Sequence, residues 1–302
     1  MHACKHSLAL FLWITAANLA SAGELELFNA RTAPEEGWSW SDARIRKHGN
    51  HLQIVEINKQ GDVGNVFVEQ RFPYHPRGEI TLHTREMAQG VHTFQVMGFA
   101  GDTPLRAVEP VKDASRAGSH VLRMRDLRLP PETQSVLFKI WVGGAEGAAL
   151  ELEEFRYVLP VDADDILVEE RFGPETEWIA DDVVGQVDAA GLRLTLAAER
   201  SFGSVLINRL MARHDASWLL LHLSAVEAGT ITVQFAAFDG SGDYLDSIDA
   251  IPAVVGGWHG VRLGDIAWPA GTAHFRVKVW LGGSASANAV LARLLVLKDE
   301  AR

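Results

Sequence analysis

The sequence has a single cysteine in 302 residues, Cys4, placed ahead of the first apolar run and so in the wrong position for a lipid-bearing cysteine. A disulfide framework and a cysteine-ligated metal are thereby excluded from the rest of the chain. Long apolar runs are also missing. The stretch Leu8 to Ala20 is too short to cross ~30 Å of hydrocarbon as a helix, and nothing later is longer. Positive charge is scarce, with 28 Lys and Arg against 39 Asp and Glu. That balance argues against nucleic acid or an anionic membrane as partner and suits a neutral ligand. No Gly-x-Ser-x-Gly elbow, P-loop or His-Glu-x-x-His pair occurs. After the first residues no sustained helical stripe appears either.

What is present begins with an export signal. Lys5 and the histidines precede the apolar run, and Ala20-Ser21-Ala22 supplies small residues for cleavage before Gly23. Residues 1–22 are therefore expected to be a signal peptide, with release into the periplasm or medium. The 280 residues from Gly23 onward would carry 27 basic and 39 acidic side chains. They suffice for one or two domains held by their cores alone.

An internal repeat organises the rest. Phe138-Lys-Ile-Trp-Val-Gly-Gly144 returns as Val277-Lys-Val-Trp-Leu-Gly-Gly283, an offset of 139 residues. Matches continue backwards without a gap, pairing Thr133 with Thr272, Pro130 with Pro269, His120 with His259 and Gly90 with Gly229. His83 pairs with His222, His75 with His214 and Gly64 with Gly203. The register then slips by a few residues, although Leu52-Gln-Ile54 still resembles Leu192-Arg-Leu194 and Phe28 resembles Phe172. This is a duplication. It predicts a first module over 23–160, a linker over 161–165 and a second module over 166–302. Asp162, Asp164 and Asp165 in the linker are expected to be solvated rather than to bind calcium.

Hydrophobic period sets the class. Ile80, Leu82 and Thr84 alternate with Thr81, His83 and Arg85, and Phe138, Ile140 and Val142 alternate with Lys139 and Trp141. Short period-two runs separated by Gly, Pro, Asp or Ser predict an all-β chain of two tandem jelly-roll β-sandwiches. Gly257-Trp-His-Gly-Val-Arg-Leu-Gly-Asp-Ile-Ala-Trp-Pro-Ala-Gly-Thr272 is followed by a valine-rich strand, a Gly-Gly turn and a closing apolar strand. That order resembles the C-terminal half of the galactose-binding-like jelly rolls found in many carbohydrate-binding modules. The resemblance covers about the last third of each copy and implies fold far more than function. Copy one departs from it, with Ser119 and Glu132 where copy two has Trp258 and Gly271.

Alternation also nominates a site. If Phe138, Ile140 and Val142 face the core, Lys139 and Trp141 face away, as Lys278 and Trp280 do in copy two. Thr93, Gln95 and His83 follow in copy one, and Thr232, Gln234 and His222 in copy two. An indole beside hydrogen-bonding side chains suits a sugar ring, whose C–H face packs on the aromatic while its hydroxyls meet polar groups. The resembled modules often bind glycans along an open sheet. Packing under another element accounts for the same tryptophans equally simply.

The remaining aromatics near turns, Trp38, Trp40, Trp178, Tyr244, Trp258 and Trp268, are expected chiefly to close the ends of the core. Asp239, Asp243 and Asp246 in Asp239-Gly-Ser-Gly-Asp-Tyr-Leu-Asp246 are a possible calcium loop. An EF-hand fails there, because Tyr244 and Ala250 stand at the glycine and glutamate positions, and a plain turn fits better. The recurring histidines lack metal-ligand spacing. Three functions remain, in this order: an exported, non-catalytic polysaccharide-binding protein with two related sites, a structural or protein-binding accessory factor of an exported assembly, and an enzyme whose carboxylates meet only in space. No carboxylate pair stands out for glycoside cleavage.

Overall fold

A computed structural model describes residues 23–31, 37–48, 51–56, 63–254 and 256–299. The predicted signal peptide and Cys4 lie outside them. The described residues form four antiparallel sheets of six strands each, joined by short turns. Among them no helix is long and apolar enough to cross a membrane.

The first sandwich has two sheets. Sheet I is ordered β10 (Gly118–Arg123), β7 (Glu79–Met87), β12 (Ala149–Val161), β4 (His51–Glu56) and β3 (Ala43–His48). Its sixth strand, β1 (Gly23–Asn29), also pairs with β12. Sheet II is ordered β2 (Trp38–Ser41), β5 (Gly64–Val68), β11 (Ser135–Gly143), β8 (Val91–Ala100) and β9 (Thr103–Ala114). The short β6 (Phe72–Pro73) pairs with β11.

The second sandwich repeats this order. Sheet III contains β22 (Gly257–Arg262), β19 (Ser217–Ala228), β24 (Asn288–Lys298), β16 (Gly191–Leu196) and β15 (Val183–Asp188). Here β13 (Ile166–Glu170) joins β24. Sheet IV contains β21 (Tyr244–Val254), β20 (Thr230–Phe238), β23 (His274–Gly282), β17 (Phe202–Ile207) and β14 (Trp178–Asp181). The short β18 (Met211–Ala212) pairs with β23. Pairing registers agree to the residue: Phe155 opposes Leu82 as Leu294 opposes Leu221. The jelly-roll pair predicted from the duplication is the fold.

Alternation explains the cores. Ile80, Leu82, Phe94, Phe138, Ile140 and Phe155 are buried between sheets I and II, and Leu219, Leu221, Val233, Val277, Val279 and Leu294 between sheets III and IV. The matched turn glycines Gly90 and Gly229 adopt φ of +79° and +86°. A Cβ at either would run into a carbonyl of the facing strand, Gly143 or Gly282, so only glycine serves.

The two sandwiches are packed together. Leu220, Trp258, Leu295 and Leu297, on the outer face of sheet III, belong to the same buried apolar cluster as the first core. Trp218 lies 5.3 Å from the His75 ring, centroid to centroid. Gly260 sits so close to Pro73 that a Cβ there would fall 2.7 Å from the proline side chain. Val121 holds the matched position in copy one and is 62% exposed. Asp165 corrects the expectation of a solvated acidic linker. It is buried and paired with the Arg77 guanidinium, because it sits where the chain passes between the sandwiches.

Candidate functional site

The predicted site residues divide between two sheets. Trp141 and Lys139 are on β11, with Thr93 and Gln95 directly opposite on β8, all on the outer face of sheet II. Asn65 of β5 flanks Trp141 on its other side. His83 is on β7 and so on the outer face of sheet I, across the core from Trp141. The same holds in copy two. Trp280, Lys278, Thr232 and Gln234 share sheet IV with Ser204, whereas His222 is on sheet III. Placing either histidine in a groove with its tryptophan is therefore wrong. Outward-facing parity is common to both sheets of a sandwich, and it does not say to which sheet a strand belongs.

Each histidine has other partners. His83 lies 3.3 Å from Glu153. His222 stacks on Trp258 with centroids 4.8 Å apart, and burial together with Arg293 holds its pKa below the ordinary imidazole value.

The two outer faces differ in how their tryptophans are covered. In sheet II the Lys139 ammonium sits 3.9 Å from the Trp141 ring centroid, a cation–π contact that occupies one indole face. Partial burial lowers the Lys139 pKa. Thr93 is buried, and its Oγ1 accepts a hydrogen bond from the Asp113 N–H at 3.1 Å. Gln95 reaches Glu109 at 3.4 Å.

In sheet IV the ammonium of Lys278 is farther from its ring, 4.9 Å from the Trp280 centroid. Phe202 stacks on Trp280 at 5.8 Å and 25° and is itself 58% exposed. Gln234 donates to Asp249 at 2.6 Å; Gln234 opposes Lys278, so this pair lies farther along the same face from the aromatic pair. Phe202 was not singled out from the sequence. Its matched residue, Val63, is aliphatic, so the repeat carried no signal for it.

The turn aromatics separate by environment. Trp38 is buried against Phe28 and Phe155, and Trp268 stacks on Phe235 at 5.4 Å while its Nε1–H donates to the Leu263 carbonyl. Trp178 packs partly buried against the second core. Trp258 departs from the expected end-closing role and serves the contact between sandwiches. Trp40 and Tyr244 are exposed. In the acidic loop, Asp239 accepts from the backbone N–H groups of Ser241 and Asp243 at 2.8 and 2.9 Å, and Asp246 accepts from that of Ser247 at 2.7 Å. The Asp239 bonds close the turn, while Asp246 bonds its neighbour within β21. Among the described residues no group of three His, Cys, Asp or Glu is positioned to hold a metal ion.

No protein-family model and no curated protein matches the sequence. Solved structures similar to the chain include the CBM22-1–CBM22-2 tandem domain of Paenibacillus barcinonensis Xyn10C. That likeness has 13% identity and a TM-score of 0.31, over 92% of this chain and 99% of that one. The CBM32-1, CBM32-2 and M60 catalytic domains of Clostridium perfringens ZmpB are similar at 10% identity and a TM-score of 0.23. There the match takes in 87% of this chain and 37% of the other, so the chain spans little more than a third of that protein. Allantoicase from Saccharomyces cerevisiae is similar at 10% identity and a TM-score of 0.24, over 92% and 91% of the two chains.

Proposed function

We propose that the protein is an exported, non-catalytic carbohydrate-binding protein whose principal site is the outer face of sheet IV. The observation that carries this reading is the exposed ring of Phe202 stacked on Trp280, with Lys278 beside the indole and the Gln234–Asp249 pair farther along the same face. A pyranose presents an apolar C–H face and a rim of hydroxyls. The first packs on an open aromatic ring, and the second exchanges hydrogen bonds with an amide, a carboxylate and an ammonium. The matched face of sheet II is the weaker partner, because Lys139 covers the Trp141 indole and Val63 replaces the second ring. Two unequal sites on one polymer chain still gain from linkage when the geometry lets both engage.

The test is binding of the purified protein to a glycan array and to insoluble polysaccharides. Replacing Phe202 and Trp280 by alanine is expected to weaken binding by about 1–3 kcal/mol, the scale of one or two aromatic contacts. Trp141→Ala should cost less. Undiminished binding by a variant lacking Trp141, Phe202 and Trp280 together would refute the site.

A further inference from the structure

A cleft of about 540 Å³ lies between the two sandwiches. Residues 69–73, 101–102 and 134–135 line it from the first sandwich, and residues 248–251, 258–261 and 265–267 from the second. We propose that this cleft is a docking site for an extended, basic peptide segment of a protein partner. The cleft shares Asp249 with the proposed glycan face of sheet IV, but the proposal is read from other observations, its strand edges and its rim charge.

Strand edges are the first observation. Ile248, Asp249, Ala250 and Ile251 are consecutive in β21 and all line the cleft. Alternation is broken here by a bulge at Ala250, since Val233 opposes Ile251 and Gln234 opposes Asp249, and the run borders the cleft along the outer strand of the sheet. β21 ends sheet IV and is hydrogen-bonded only to β20; β22 ends sheet III and is bonded only to β19. Among the described residues, none of the backbone bonds made outside the sheets uses residues 248–251. Alternate N–H and C=O groups along such an edge are left for an added strand.

Charge is the second. Glu69, Asp249 and Asp265 give the cleft an acidic rim, while its one guanidinium, Arg71, and Asp102 neutralise each other at 3.0 Å. This rim complements Lys and Arg side chains. The floor is apolar, with Pro73, Ile248 and Ile266, as the inward residues of an alternating strand require. A saccharide is a poorer fit. The cleft's rings are closed, since Phe72 is buried in the first core and Trp258 is buried beneath His222.

The test is fluorescence anisotropy of the purified protein with a labelled peptide of alternating Lys and Val. Its Glu–Val counterpart and a version N-methylated at alternate residues serve as comparisons. The Lys–Val peptide is expected to bind, the Glu–Val peptide not to, and N-methylation to weaken binding at least tenfold by removing the donors of the added strand. Asp249→Lys with Asp265→Lys should cause a similar loss, as should Ala267→Trp, which fills the cleft from an exposed position. Thermal melts check that each variant is folded. The Phe202→Ala, Trp280→Ala variant should bind the peptide as before. Absence of peptide binding, equal binding of the N-methylated peptide, or indifference to charge reversal would overturn the proposal. So would displacement of the peptide by a neutral oligosaccharide in the variant lacking the aromatic pair, an outcome that would give the cleft to a glycan.

Discussion

The outer faces of sheets I and III are built from matched strands in matched register, yet one is wet and the other dry. In sheet I the face carries Glu79, Thr81 and Arg156, with Glu79 bridged to Arg123 at 3.1 Å and Arg156 to Glu154 at 2.9 Å. In sheet III the same positions are Trp218, Leu220 and Leu295, all buried. The inner faces remain apolar in both copies. A sandwich needs only its inner faces to fold, so the outer face of each copy is free to change. In copy two it became the surface that holds the modules together. The exposures of Val121 and its counterpart position Gly260 express the same divergence: the side chain was dispensed with where Pro73 packs.

The most damaging way to break this contrast is to give copy two the residues of copy one. Trp218→Glu with Leu220→Thr should cost about 5 kcal/mol, from lost apolar burial and an unpaired carboxylate in a dry contact. Urea unfolding is expected to split from one transition into two. A single transition at an unchanged midpoint would mean that this face does not join the sandwiches.

Next in size is Arg77→Ala, at about 3–5 kcal/mol, because it strands the buried Asp165 carboxylate. Copy two has Ala216 at the matched position, with no such pair to lose. Removing Asp165 as well should restore part of the stability, which a double-mutant cycle in chemical denaturation would read.

A more gradual effect follows pH. His75 is fully buried at the contact, whereas its counterpart His214 is exposed. Burial, reinforced by the Arg77 charge, depresses the His75 pKa to about 3, and its Nδ1 accepts the Arg77 backbone N–H at 3.2 Å. The unfolded chain takes up this proton near pH 6.5 and the folded chain does not. Stability is therefore complete above that value and falls as pH drops from ~6.5 toward about 3, by at most ~1.4 kcal/mol per pH unit from this group. Subtracting the pH profile of His75→Phe from that of the unaltered protein should isolate the loss. A flat difference would show that His75 is not held neutral.

Much of this architecture was legible in the sequence, because it rests on periodicity. The outward parity of Trp141 and Lys139 followed from Phe138, Ile140 and Val142. The matched pairs Gly90/Gly229 and Gly144/Gly283 stand at turns where φ is positive. The site was legible only in part. Parity assigned His83 and His222 a direction but no sheet, since hydrogen bonding between strands distant in the chain decides that. Phe202 escaped notice because its value lies in stacking on a residue 78 positions away. Asp165 looked like a solvated linker acid because local composition does not reveal that Arg77 waits across the junction.

The sequence by itself determined the duplication, the all-β class and which side chains of each strand face the core. These are local consequences of a period of two and of the residues that turns require. Tertiary structure alone decided which strands share a sheet, which tryptophan has an open aromatic neighbour, and that two sandwiches meet along one dry face and leave a cleft with free strand edges. Those outcomes depend on contacts between surfaces far apart in the chain, and no spacing within a single strand encodes them.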